Sequence, residues 1–193
     1  LAVWTQGAIR HTSVIPIAGD QITNDIAMAL RTPTREAEDI KCKYGCALSQ
    51  LADPSESIEV AGVDDRPSRK LSRRALADVI QPRVEELYEL IQNELRRAGF
   101  EEVLSSGIVL TGGASVMPGM VELGEEIFHM PLRLGSPKYT GSLADVVQCP
   151  HFSTAFGLVL EAQAQRKRGQ KIKEKQGVKD VFDGMKSWFA KNF

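Results

Sequence analysis

Three aliphatic residues, Ile108-Val109-Leu110, run straight into Thr111-Gly112-Gly113-Ala114-Ser115, and an apolar helical pattern follows from about Met120 to Phe128. A short apolar run bounded by turn residues is the mark of a buried strand, and two adjacent glycines behind it allow a backbone path that no side chain obstructs. Strand, glycine turn and helix, followed by a second strand at Pro131–Leu134, describe an α/β layer rather than an all-helical or all-β chain. A helix entered through such a turn also presents unpaired N–H groups and the positive end of its dipole, an arrangement able to cradle a phosphate or a sugar. An isolated pair of glycines serves turn geometry equally well, so the motif alone leaves both readings open.

The flanking segments agree with that class. Leu1–Trp4 and Thr12–Ile17 read as the strands of a hairpin turning at Gly7. Asp20 is expected to cap a helix whose apolar face is Ile22, Ile26, Ala29 and Leu30, stopped by Pro33. Thr34 is expected to cap the next helix, which passes through Ile40 and Tyr44 to Gly45. A short alternating strand at Ile58–Val63 and a turn at Asp64–Pro67 lead to a long helical stripe from Leu76 to Leu95. Pro82 predicts a kink or a junction of two helices within it. A last core helix is expected from Phe152 to Ala162.

No run of about 18 apolar residues occurs in the chain, so no bilayer-spanning helix is predicted. Cys42, Cys46 and Cys149 form neither a CxxC pair nor a disulfide framework, which favours a reducing compartment. His11, His129 and His151 are scattered, without the spacing of metal ligands or of a nucleophile and its base, and read as packing or surface residues. No metal-binding or catalytic residue is assigned.

The charge total, 24 Lys+Arg against 25 Asp+Glu, hides an asymmetry. Residues 161–193 carry 9 basic and 4 acidic residues, which leaves 15 against 21 for residues 1–160. Within the tail, residues 163–177 hold six basic residues and one acid, the composition of a mobile linker. Beyond it Val178, Val181, Phe182, Met185, Trp188, Phe189 and Phe193 fall within an arc of roughly 140° at helical spacing. An apolar stripe rich in aromatics, with lysines on the opposite face and a basic tether, has the composition of a helix that lies in an anionic lipid surface. Docking on its own domain is the alternative fate of such a stripe.

A second basic group, Arg66, Arg69, Lys70, Arg73, Arg74 and Arg83, stands in an otherwise acidic body. Guanidinium groups suit carboxylates, so an acidic peptide could be held there; a solvated helix start is the plainer reading. The group is small and lacks interleaved aromatics, so nucleic acid is not an expected partner.

The run GIVLTGGASVMPGMVELGEEIFHMPLRLGSP, residues 107–137, resembles the adenosine-side motif of the actin-like ATPases and, among them, that of the FtsA family of bacterial cell-division proteins. AVWTQGAIRHTSVIPIAGDQITNDIA resembles the hairpin and helix that follow that family's second phosphate loop, TREAEDIKCKYGCA its nucleotide-side helix, and GVDDRPSRKLSRRALADVIQPRVEELYELI its smaller lobe. The resemblance implies an α/β, actin-like (ribonuclease-H-like) C-terminal half, with the family's first domain and main phosphate loops preceding Leu1. Residues 1–32 and 100–160 would form one lobe and 33–99 an inserted smaller lobe that binds a peptide. Residues 161–177 would be the linker, and 178–193 the amphipathic membrane-targeting helix.

Carried over by position, the resemblance implies that Gly19, Lys41, Thr111, Gly112, Gly113 and Ala114 line ATP, which would bind with Mg2+ held mostly from outside these residues. Cys42 stands where actin itself carries an acid. Arg83, and with it Arg69, would contact the C-terminal peptide of FtsZ, the tubulin-like division protein. Val181, Phe182, Met185, Trp188, Phe189 and Phe193 would enter the membrane. The implied role is an adaptor that tethers FtsZ filaments, the Z ring, to the cytoplasmic face of the plasma membrane at the division site, with self-association and contacts to other division proteins. No residue here can be assigned as the base for attack on a γ-phosphate, so at most a weak ATPase is expected of a longer chain and no catalysis of these residues alone. A sugar-kinase-like phosphotransferase, or another actin-like scaffold such as MreB or a pilus-assembly ATPase, is the alternative.

Overall fold

In the computed structural model, residues 1–62, 67–104 and 106–168 are described. They divide into two compact units, residues 1–153 and a second unit that begins at Thr154.

Unit one opens with an antiparallel hairpin, β1 (Ala2–Thr5) and β2 (Ala8–Thr12). Gln6 and Gly7 both have positive φ, 53° and 76°, as a two-residue turn that matches strand twist requires. Because the turn spends only two residues, Thr5 pairs directly with Ala8. The second strand therefore lies at residues 8–12 and not at 12–17 as the apolar pattern predicts.

Helix α1 (Gly19–Leu30) is capped by Ala18, not Asp20; the Gln21 side chain reaches back to accept from the Ala18 N–H at 2.9 Å. Helix α2 (Thr34–Tyr44) has Pro33, not Thr34, at its cap position. Strands β3 (Ser57–Val60) and β4 (Arg69–Ser72) pair antiparallel, with Ile58 opposite Leu71. β4 is not legible in the sequence, since its four residues contain one apolar side chain.

Ser72 then caps α3 (Arg73–Arg97), its hydroxyl accepting from Ala75 N at 3.2 Å. Pro82 sits inside this helix, which is continuous over 25 residues rather than two helices joined. The buried face of α3, Leu76, Ile80, Val84 and Tyr88, explains the tolerance: packing a full apolar stripe, at roughly 1.5–3 kcal/mol per large side chain, offsets one missing backbone hydrogen bond.

Strand β5 (Ile108–Leu110), helix α4 (Met120–Phe128) and strand β6 (Leu132–Leu134) form a parallel crossover unit. Tyr88 binds α4 to α3: its ring lies against Phe128 at 5.2 Å, and its hydroxyl donates to the Met120 carbonyl oxygen at 2.7 Å. Burial pushes that phenol's pKa upward. A short α5 (Ala144–Val147) and a 3₁₀ turn at Pro150–Phe152 complete the unit.

One principal core contains Ile22 and Ile26 of α1, Ile40 of α2, Ile58 of β3, Ile80 and Tyr88 of α3, and Leu123 and Phe128 of α4.

Helix α6 (Ser153–Lys167) begins near the predicted place but has no buried residue. Leu158, Val159 and Leu160 are consecutive and thus spread around the helix at about 100° per residue, so they cannot share one inward face, and Leu158 is 68% exposed. The helix continues through residues 161–167, where the linker is expected to start, because Glu, Ala, Gln, Arg and Lys there are good helix formers. The remainder of the linker and the whole 178–193 stripe lie outside the described residues, as does Arg66. No helix among the described residues is long and apolar enough to cross a membrane.

Candidate functional site at the glycine turn

The carboxyl end of a parallel strand is where α/β layers offer a ligand crevice, and the glycine turn opens at that end of β5. Thr111 is fastened there: its hydroxyl donates to the Gly135 carbonyl oxygen at 2.8 Å and lies 2.6 Å from Ser153 Oγ. Gly112 follows with φ 97° and ψ 174°, a region that essentially only glycine enters. Its N–H donates to Pro150 O at 3.2 Å, and its own carbonyl oxygen accepts from Ser115 Oγ at 2.7 Å.

The two glycines differ in what surrounds them. A Cβ placed on Gly112 would meet nothing within 4 Å, so its backbone is open to close approach. A Cβ on Gly113 would lie 3.2 Å from the His151 ring, so this residue is roofed by the chain. His151 in turn places Nδ1 3.1 Å from Cys149 Sγ. Sequence spacing gives no hint of this neighbourhood, because His151 is carried to the turn by a 3₁₀ segment about forty residues farther along the chain.

Three of the sequence-assigned residues converge beside the turn. The Cβ position of Gly19, at the start of α1, is 3.4 Å from Lys41 Nζ and 3.5 Å from the Ala114 side chain. Lys41 is 8% exposed, and its ammonium group makes three contacts: Gly19 O at 3.0 Å, Thr23 Oγ1 at 2.8 Å and Glu38 Oε2 at 2.6 Å. Thr23 donates its hydroxyl to Glu38, which closes the network. Burial alone would raise the Glu38 pKa, but hydrogen bonds from Lys41, Thr23 and Cys42 outweigh it and hold the carboxyl below its ordinary value. Cys42 donates to the same carboxylate at 3.3 Å, and burial followed by Glu38 pushes its thiol pKa up. The Glu38–Lys41 spacing of three is readable in sequence as a helix-face pair; the part played by Thr23 is not. A groove of about 500 Å³ lined by Asp20, Thr23, Asn24 and Arg35 runs alongside.

The basic group is distributed differently. Arg69 donates to Leu30 O at 2.6 Å, and Arg73 donates to Tyr44 O at 3.0 Å and pairs with Glu56 at 2.9 Å. Arg83 grips Asp25 through both Nε and Nη2, the latter at 3.0 Å, and also pairs with Glu86. Asp25, on α1, went unassigned from the sequence because nothing in spacing links residues 58 positions apart. Lys70 and Arg74 are exposed.

Residues 1–157 match the family described as cell division protein FtsA. The chain belongs to the FtsA family. FtsA of Pseudomonas aeruginosa is 52% identical over 200 aligned residues, and FtsA of Escherichia coli K12 is 41% identical over 203; each alignment covers 100% of this chain and 48% of the relative. The chain thus spans about half the length of the FtsA proteins it matches. Among solved structures, Spiroplasma citri MreB5 bound to ADP superposes with a TM-score of 0.60 over 83% of this chain and 51% of that one, at 19% identity. That likeness gives this FtsA segment an actin-like fold, and the family match decides between the FtsA and MreB readings of its sequence.

Proposed function

We propose that this chain is the nucleotide- and partner-holding part of a division adaptor that tethers FtsZ filaments to the inner face of the plasma membrane. What supports the reading above all is kinship over the entire length, including the tail: 52% identity to a cell division protein FtsA across 100% of the chain. MreB5, the actin-like neighbour, is bound to ADP in one solved structure and to AMPPNP in another, and the residues here fit an adenine nucleotide. Gly112 leaves room for a sugar or phosphate against bare backbone, while Gly19, Lys41 and Ala114 form the adjoining wall. Since the Lys41 ammonium is engaged by Gly19, Thr23 and Glu38, its part is to fix that wall and present its methylene stem rather than a free charge. Thr111 and Gly113 shape the turn from either side of Gly112, and Mg2+ would arrive with the nucleotide.

In this reading the segment containing Arg69 and Arg83 receives the acidic FtsZ C-terminal peptide. Arg83 would exchange Asp25 or Glu86 for a peptide carboxylate, which sets an internal competition. Residues 178–193 would lie in anionic lipid by Val181, Phe182, Met185, Trp188, Phe189 and Phe193. Burying four aromatics at roughly 1.5–3 kcal/mol each, plus about 1 kcal/mol per nearby basic residue, is set against the cost of ordering the helix, which leaves each anchor reversible, and many anchors along one filament supply the avidity. Self-association and further division partners belong to the same proposal.

The deciding experiment is co-sedimentation with liposomes of neutral and of anionic lipid, using the chain with and without residues 178–193. Binding to anionic vesicles that disappears with those residues is the expected outcome. Equal binding by both forms removes the tail from the tether.

A further inference from the structure

The pair Cys149 and His151 is used by none of the roles above. The thiol is half-buried, and its sulfur lies 3.1 Å from His151 Nδ1. A nucleophile within hydrogen-bond reach of an imidazole base is the arrangement that activates a thiol. The imidazole is itself held, its ring lying against Gly113 while Pro150 between the two accepts the Gly112 N–H. The other two cysteines lack this. Cys46 is fully buried and donates to Leu48 O at 3.2 Å. Cys42 is exposed but faces the Glu38 carboxylate, which disfavours a thiolate.

We propose that Cys149 and His151 form a nucleophilic thiol site for soft electrophiles and peroxides. With an alkyl iodide, the thiol proton passes to His151 Nδ1, sulfur bonds to the carbon, and the carbon–iodine bond breaks to release iodide. With hydrogen peroxide, sulfur attacks the O–O bond and takes one oxygen as a sulfenic acid. Sulfur is oxidised by two electrons, and the leaving hydroxide collects the imidazolium proton as water. The added group lands beside the ring that roofs Gly113, which ties thiol chemistry to the shape of the turn. The site stands whether or not a nucleotide occupies Gly112.

The test is pulsed alkylation of the full chain with iodoacetamide, read peptide by peptide by mass spectrometry. Exposure alone ranks Cys42 first; the proposal ranks Cys149 first by about fivefold or more. His151→Phe keeps a ring over Gly113 but removes the base, and is expected to slow Cys149 several-fold with Cys42 unchanged and Cys46 still protected. A Cys149 rate at or below that of Cys42 overturns the proposal without any variant. So does a His151→Phe chain with protected Cys46 and an unaltered Cys149 rate.

Discussion

Lys41 and Gly19, 22 positions apart, are joined by a 3.0 Å hydrogen bond from the ammonium group to the carbonyl oxygen in the first turn of α1. That bond, with those to Thr23 and Glu38, holds the wall beside the glycine turn in place. Lys41→Met keeps the stem and deletes the donors, leaving the buried Thr23 oxygen without its donor at about 1–3 kcal/mol. Urea denaturation should show that loss. In the same variant the Glu38 carboxyl, freed of its main lowering partner, should titrate higher by NMR; an unmoved titration would mean Lys41 is not what holds it down.

Gly112→Ala isolates backbone conformation from space. The added methyl meets nothing within 4 Å, yet φ is 97°, so the cost is strain of about 1–3 kcal/mol, and binding of a fluorescent ATP analogue should weaken more than stability does. Gly119→Ala is the contrast. With φ of 84° and a Cβ only 2.6 Å from Leu48 N, it adds overpacking of about 1–3 kcal/mol to the strain, and its thermal midpoint should fall further than that of Gly112→Ala.

The grip of Asp25 on Arg83 makes opposite predictions for its two ends. Arg83→Glu should weaken capture of an FtsZ C-terminal peptide in fluorescence anisotropy, whereas Asp25→Asn, by releasing the guanidinium, should tighten it. Unchanged affinity in both variants would take Arg83 out of the peptide contact.

Glu94 carries the clearest acid dependence. The Arg97 guanidinium, and after it His11 at 2.8 Å, hold its pKa near 2 against an ordinary 4.5. A carboxyl lowered on folding contributes stability that is complete above its unfolded pKa and fades as pH falls through the folded one. Glu94→Gln should therefore be less stable than the wild type at pH 7, with the difference closing between about pH 4.5 and 2. Urea midpoints at several pH values measure it; a constant difference across that range would show that the ion pair is not its source.

Periodicity carried much of this fold. The stripes of α1, α3 and α4 were readable, as was the β5 strand with its glycine turn, because each buries one face in a shared core and so repeats at a fixed spacing. Capping and register were less legible. Asp20 and Thr34 have the right chemistry for caps, but the backbone leaves Ala18 and Pro33 at those positions, and a two-residue turn moved β2 by several places. Gly19, Lys41 and Ala114 could be named singly from resemblance to a family; that they touch could not. Asp25 against Arg83, Thr23 under Lys41 and His151 over Gly113 are meetings of distant segments, and no local pattern encodes them.

The unbroken length of α3 has a bearing on how the chain assembles. His11 reaches Glu94 across 83 positions and Asp25 reaches Arg83 across 58, so although α1 meets α2 early through Thr23 and Lys41, the hairpin and the outer side of α1 gain these partners only after the long helix has left the ribosome. Until then the early segments carry exposed apolar faces, and the energetic return on closing such distant contacts comes late and together. Newly made chains of this kind should depend on holdase chaperones until α3 and α4 are both complete, since the one principal core draws on each, and become protease-resistant only then.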